Sequence, residues 1–366
     1  LAAFVALAAC GDDVPTPLVD PGEPYDEAPL PDPPPEEPVR SDVVEVPIQV
    51  IGDLQFEEIA GGLMNPSGLS VGPDGALYIC DSGNGRIVRL RPGIPSEHIV
   101  GFDTEFWKVD PKSGTKRFKL GPLSILAMAD GSFYVTDGGK PDGKETLLHF
   151  TGPSLASAGK PSNPVGPTSD DPADQGEGNL TGMSLSPDGR TIYVAGQGSD
   201  AKSWVLRYDI GSNKLEPWAS ADENGITVNS PMQTLVWDAK TVLVLYSGEG
   251  GKDDGLIVAW DVDTAKPRAQ WRLPGMVDPM GFARIPGTAD LIVVDNNWAL
   301  EKVQYGFAAR VTLPKESGEV SHQKLITGLR GPTTCTFDKD GTLYIAQLGE
   351  EYDGRSGNVL KVTGIK

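Results

Sequence analysis

Only three cysteines and three histidines occur in 366 residues, and 31 bases face 51 acids. Cys10, Cys80 and Cys335 are too widely spaced to form the paired pattern of a structural metal site. His98, His149 and His322 all fall in stretches that read as outer strands, which leaves little support for a histidine nucleophile or base. The net charge of −20 argues against nucleic acid as a partner, and no basic stripe offers itself to an anionic lipid surface. Long stretches with a helical apolar period are also missing, so helices should be scarce.

What is present begins with an apolar run, Leu1 to Ala9, that ends in Leu7-Ala8-Ala9-Cys10. This pattern resembles a bacterial lipoprotein signal, with Cys10 as the lipidated first residue of the mature chain. It has no initiator Met and no basic leader, and nine residues cannot span a bilayer as a helix. Residues 11–45 carry eleven acids against Arg40 alone, together with ten prolines that include Pro33-Pro34-Pro35. Such a segment can neither pack a core nor collapse, and reads as a disordered tether with a reach on the order of 100 Å. The expectation is an extracytoplasmic protein of the bacterial cell envelope, held by lipid and not by charge. Gly11 points to the outer membrane if the cell has one.

Residues 46–366 repeat one pattern. Pro66-Ser67-Gly68-Leu69 leads through Pro73-Asp74-Gly75 to Leu77-Tyr78-Ile79-Cys80-Asp81, and Leu180-Thr181-Gly182-Met183 leads through Pro187-Asp188-Gly189 to Ile192-Tyr193-Val194-Ala195. The pattern restarts at Pro122, Pro231, Pro279 and Pro332. Each unit reads as an apolar strand, a tight Asp-Gly type hairpin, a Tyr/Ile/Val-rich strand, a Gly-rich loop and a further strand. Units of this length, roughly 50 residues, are expected to stack as blades, which gives an all-β, six-bladed β-propeller. A two-sheet sandwich is the other all-β arrangement, but it does not account for six matched units. The last unit ends at its third strand, Asn358 to Val362, while Glu57 to Leu63 reads like Gln323 to Leu329 at the end of the fifth. The N-terminal strand should therefore complete the sixth blade.

The run Asn65-Pro66-Ser67-Gly68 through Asp81-Ser82-Gly83-Asn84-Gly85-Arg86-Ile87 resembles an NHL repeat, and residues 46–366 are similar to the six-bladed NHL and gluconolactonase-like propellers. Tyr208-Asp209 and Trp260-Asp261 stand where WD-type repeats place their dipeptide. In a meander the start of the first strand, the end of the second and the loop into the third share one face, which should carry function. The insertions Asp103 to Arg117 and Gly152 to Gly178 are long enough to reach that face.

The resemblance implies a divalent metal held at the channel mouth by acids and amides at the starts of inner strands. The matching slots hold Ser67, Leu123, Thr181, Met232, Met280 and Thr333, none a carboxylate. Just upstream, Asn65, Asn179 and Asp278 supply oxygens that, with Asp295, could take Ca or another divalent cation; the other reading is that they cap turns. Asp81, Asp137 and Asp295 end second strands and are expected to fix the loops there. The three histidines also give a quinoprotein-type base little support. Cys80 and Cys335 are either bridged across neighbouring units or separately buried. Two function classes follow. One is a monomeric binding or scaffold module that meets a protein, peptide or glycan through Trp204, Trp298, Tyr305, Phe307 and Tyr352; the other is a metal-dependent lactone or ester hydrolase built on Asn65, Asn179, Asp278 and Asp295.

Overall fold

The computed structural model describes residues 46–366 apart from 92–93, 110–113, 115, 141–143, 152–178, 197–202, 301–304 and 350–353. The lipidation candidate Cys10, residues 11–45, the insertion from Gly152 and the aromatic candidate Tyr352 lie outside the described residues.

The chain enters through β1 (Gln49–Val50) and β2 (Gln55–Leu63). Blade 1 follows as β3 (Pro66–Val71), β4 (Leu77–Asp81), β5 (Arg86–Arg91) and β6 (Ile94–Val100). A separate hairpin, β7 (Glu105–Val109) and β8 (Lys116–Leu120), precedes blade 2, whose described strands are β9 (Pro122–Ala127), β10 (Phe133–Asp137) and β11 (Leu147–Phe150). Blade 3 comprises β12 (Leu180–Leu185), β13 (Thr191–Gly196), β14 (Trp204–Asp209) and β15 (Lys214–Ser220). Blade 4 comprises β16 (Pro231–Asp238), β17 (Thr241–Tyr246), β18 (Leu256–Asp261) and β19 (Pro267–Arg272). Blade 5 is built from β20 (Pro279–Arg284), β21 (Asp290–Asp295) and β22 (Gly306–Thr312); then β23 (Gly318–Glu319) leaves to pair in parallel with β19, and β24 (Ser321–Leu329) returns to blade 5. Blade 6 closes with β25 (Pro332–Phe337), β26 (Leu343–Gln347) and β27 (Gly357–Thr363).

The ring closes as the sequence implies: β2 is the outer strand of blade 6, with Phe56 opposite Val362 and Glu58 opposite Leu360. β1 adds a fifth strand to blade 5, Gln49 opposite Thr327. The N-terminal strands therefore lace two adjacent blades. Blade faces are buried against one another, as in the cluster of Leu245, Ile257, Phe282, Val293 and Phe307 between blades 4 and 5.

The inner strands show how blades are joined. In every blade the pairing between the first and second strand slips by a residue or more near the mouth, at Pro66, Pro122/Thr136, Leu180, Pro231, Pro279 and Pro332. A bulge of this kind turns backbone groups out of the ladder. Neighbouring side chains then take up those groups: Ser67 Oγ donates to Pro122 O at 3.1 Å, Thr181 Oγ1 to Pro231 O at 3.0 Å and Thr333 Oγ1 to Pro66 O at 2.7 Å. Thr136 Oγ1 donates to Thr181 O at 3.1 Å, Asn296 Nδ2 to Pro332 O at 3.0 Å, and the Phe282 N–H donates to Gln233 Oε1 at 3.0 Å. Every junction of the ring thus carries a side-chain to backbone bond. Glycine permits the close approach: a Cβ on Gly68 would stand 2.6 Å from Leu123 O, and one on Gly281 2.7 Å from Thr334 Cα.

Cys80 and Cys335 are free thiols, buried separately. Cys80 packs behind Gly68, and Cys335 Sγ lies 3.8 Å from Ile292 O.

Two outcomes test this architecture. Thr333→Val leaves the Pro66 carbonyl buried without its donor and should cost about 1–3 kcal/mol in urea unfolding. A chain beginning at Met64 loses β1 and β2 and should melt far below one beginning at Val46, because an edge and its apolar cover are removed; equal melting temperatures would contradict the double lacing.

Candidate functional site

The inner strands surround a central chamber of 810 Å³. Near its mouth it is lined by amides, Asn65, Asn179, Asn229 and Asn296, and deeper by hydroxyls and apolar groups such as Ser184, Thr234, Met183 and Leu185. Arg284, Asp338 and Lys339 lie among the lining residues at the far ends of the inner strands, and Glu249 lines the mouth side beside Gly248 and Gly250. The chamber is therefore mostly uncharged, suited to a ligand that exchanges neutral hydrogen bonds and apolar contact.

The β7–β8 hairpin leaves the ring between blades 1 and 2 and carries Trp107, Phe118 and Leu120 into the chamber lining. Trp298, in a short 3-10 turn (Trp298–Leu300) on blade 5, meets both aromatics edge to face. Ring centroids are 5.3 Å apart for Trp107 and Trp298 and 5.6 Å for Phe118 and Trp298. Because blade 5 lies across the channel from the junction of blades 1 and 2, the hairpin crosses the mouth. The insertion was legible in the sequence, but Trp107 and Phe118 were not picked out; their signal was two large aromatics within a polar, basic stretch.

Trp298 is seated by two buried acids. Asp278 accepts from Gly251 N–H at 3.1 Å through Oδ1 and from Ala299 N–H at 3.1 Å through Oδ2, tying the blade 4 loop and the Trp298 turn to one carboxylate. Gly250 packs on the Trp298 ring, where a Cβ would stand 3.0 Å away. Asp295 Oδ1 accepts from Asp278 N–H at 2.8 Å, and its Oδ2 accepts from Asn297 Nδ2 at 3.1 Å. The same brace recurs: Met64 N–H donates to Asp81 Oδ1 at 2.7 Å and Arg330 N–H to Gln347 Oε1 at 2.6 Å, each acceptor seventeen residues after its donor. Asp137 holds its own loop through Gly139 N–H at 3.1 Å and pairs with Lys140 at 2.9 Å. These acids therefore fix loops through backbone hydrogen bonds.

Burial pushes the Asp295 carboxyl up to about 7, with the nearby Asp278 charge adding to the rise while the Asp278 N–H, Lys324 and Asn297 oppose it. Burial likewise raises Asp278, against the donors Gly251 and Ala299 and with help from Asp254.

The candidates named from sequence separate into distinct environments. Asn65 and Asn179 line the chamber, whereas Asp278 and Asp295 are fully buried in the loop braces of blade 5. Among the described residues no group of three or more His, Cys, Asp and Glu is placed to hold a metal ion. Trp298 is among the residues that line the chamber. Trp204 does not present itself for contact: it starts β14 and is buried with Tyr134, Leu180 and Tyr208 between blades. Phe307 is likewise core, beside His322 and under Lys324 Nζ at 3.7 Å. Tyr305 is exposed but outside the chamber lining. His98 and His322 sit on outer strands and His149 on β11, the outermost described strand of blade 2; none lines the chamber.

Comparison with known proteins agrees with this architecture. Residues 63–90 match the model of the NHL repeat. No curated protein sequence matches the chain. Among solved structures, the chain is similar to the PQQ-bound aldose sugar dehydrogenase of Streptomyces coelicolor, at 16% identity over 86% of this chain and 97% of that one, with a TM-score of 0.55. It is also similar to a provisionally named gluconolactonase, at 11% identity over 85% and 92% with a TM-score of 0.52. A third likeness is virginiamycin B lyase of Staphylococcus aureus, in a catalytically inactive form with quinupristin, at 15% identity over 87% and 100% with a TM-score of 0.50. Identities this low show a shared fold. The protein is a six-bladed β-propeller with an NHL repeat in its first blade.

The raised Asp295 fixes the sign of a pH effect. Its folded value of about 7 lies above the ordinary 3.8, so the folded state binds the proton more tightly. The contribution is complete below about pH 4 and is lost as pH rises through about 7. In urea unfolding, Asp295→Asn should therefore flatten the decline in stability across that window; an unchanged pH slope would contradict the assignment.

Proposed function

We propose that this protein is a monomeric binding module of the bacterial cell envelope, held by lipid on Cys10, whose propeller takes a peptide or glycan, free or as part of a protein, at the mouth of its central channel. The observation that supports this reading is that few charged groups line the cavity and that the buried acids of blade 5 are not among them. The chamber wall near the mouth offers amides, hydroxyls, Trp298 and, among the described residues, the single acid Glu249, while Asp278 directs both of its oxygens to backbone N–H groups. A metal-dependent lactone or ester hydrolase would need those oxygens for a cation, since Ca²⁺ takes six to eight oxygen ligands in general. The surface anchor rests on the Leu7-Ala8-Ala9-Cys10 pattern and the acidic, Pro-rich residues that follow.

Two assays test the reading. Purified protein is screened on glycan and peptide arrays, and Trp298→Ala is expected to weaken capture by about tenfold or more while leaving the fold intact, as loss of a buried aromatic anchor usually does. Turnover of simple lactones that is abolished by chelator would overturn the binding reading. For the anchor, labelled fatty acid should enter the full-length protein and be lost in Cys10→Ser, which should also release it from membranes; no label in the parent would contradict lipidation.

A further inference from the structure

We infer that the chamber mouth selects a primary alkylammonium group carried by a peptide, on a lysine side chain or at the peptide N-terminus, with Glu249, Asn296 and Trp298 as its recognition residues. The inference rests on the binding reading above and names the group that the chamber takes.

The first observation is that the seam between blades uses up donors at the mouth and leaves acceptors. Ser67, Thr181 and Thr333 line the chamber, and each spends its one O–H on a backbone carbonyl of the next blade, Pro122 O, Pro231 O and Pro66 O in turn. A hydroxyl whose proton is committed has only oxygen lone pairs left to offer. Asn65 Nδ2 likewise donates to Lys119 O at 3.0 Å. Gln233, one residue deeper on β16 than Met232, is committed the other way, its Oε1 accepting from the Phe282 N–H at 3.0 Å, so the bias toward acceptors belongs to the mouth.

The second observation is Asn296. It is 1% exposed and lines the chamber, and its amide is oriented by Nδ2, which donates to Pro332 O at 3.0 Å. That orientation fixes Oδ1 as the other end of the amide, and Oδ1 is buried without a hydrogen-bond partner among the described residues. A buried acceptor left unpaired costs free energy that an arriving donor recovers. The wall at this point therefore calls for an N–H or O–H group.

The third observation places a charge beside an apolar collar. Glu249 lines the same mouth, and Gly250 after it packs on the Trp298 ring, so acid and indole stand side by side. The Glu249 N–H donates to Asp254 Oδ2 at 3.2 Å and the Gly251 N–H to Asp278 Oδ1 at 3.1 Å, which holds this loop. The Glu249 carboxylate meets Lys252 Nζ, but both side chains are more than half exposed, and such a pair contributes little. Leu123, Met232 and Met280 add apolar surface at the starts of β9, β16 and β20. An ammonium brings a positive charge and three N–H donors, and lysine carries it on an apolar stem, which matches the acceptors, the carboxylate and the collar. An amino sugar carries its ammonium among hydroxyls, and a bare divalent cation takes about six to eight oxygen ligands and gains nothing from the collar. The net charge of −20 favours the approach of a cation.

Full-length protein is immobilised and exposed to dye-labelled tetrapeptide libraries whose other positions are randomised among uncharged residues. In the first arm the N-terminus is acetylated and one position is lysine; in the second that lysine is acetylated as well; in the third the lysine is acetylated and the N-terminus is left as the amine. Capture of the first or the third arm is expected to exceed that of the second by about tenfold or more, and the captured arm names the source of the ammonium. Glu249→Gln keeps the side-chain shape on a surface loop and should lower that capture by about tenfold with circular dichroism unchanged. Asn296→Ala should lower it too, with urea unfolding run alongside because the bond to Pro332 O is also lost. Equal capture of the three arms, or capture unchanged in Glu249→Gln, would overturn the ammonium assignment and leave the binding reading standing. Displacement of the captured peptide by micromolar calcium would give the acceptors to a metal ion and overturn it as well. Capture of no arm while glycans are held on the array overturns the assignment alone, whereas no capture of any peptide or glycan overturns the binding reading with it.

Discussion

The ring depends on what happens at the first residues of each inner strand. There the ladder slips, a backbone group turns toward the neighbouring blade, and a hydroxyl or amide from that blade meets it. Thr333 to Pro66 is the bond that matters most for topology, because it joins the last blade to the first. Buried backbone groups must be paired, so these positions favour side chains with a short donor. Ser67, Thr181 and Thr333 satisfy that demand, and they occupy slots where a resemblance to metal-binding propellers would call for ligands. The seam and a metal centre compete for the same positions, and in this chain the seam holds them.

A second dependence runs outward from the seam to the mouth. Asp81, Asp295 and Gln347 each accept from a backbone N–H that precedes an inner strand, so the end of the second strand braces the start of the first. In blade 5 the brace gains a second acid: Asp278 receives Gly251 and Ala299 and thereby seats Trp298. The hairpin aromatics close against that seat. Local backbone chemistry thus sets where an aromatic platform stands above an 810 Å³ chamber.

The fold was legible because its signals are local and repeated. Pro-Asp-Gly turns, the recurring Gly68 and Gly281, and the likeness of Glu57–Leu63 to the end of the fifth unit each require a definite neighbour, and β2 beside β27 follows from the last of these. The separate burial of the two cysteines was one of two open readings, decided by their places on β4 and β25. The site was less legible. Trp204 and Trp298 look alike in a sequence, yet one starts a strand whose face is packed between blades and the other caps a loop at the channel. Trp107 and Phe118 gain their meaning only when the ring brings the hairpin opposite blade 5. Asp278 and Asp295 carry the right atoms for a cation, but only the hydrogen-bond partners reveal that those atoms hold the backbone.

The central claim is that the acids of blade 5 serve the backbone and not a cation. Elemental analysis of the purified protein, after exchange into chelator-free buffer, tests it most directly. The account predicts no divalent metal in stoichiometric amount. One tightly held equivalent per chain that disappears in both Asp278→Ala and Asn179→Ala would contradict it.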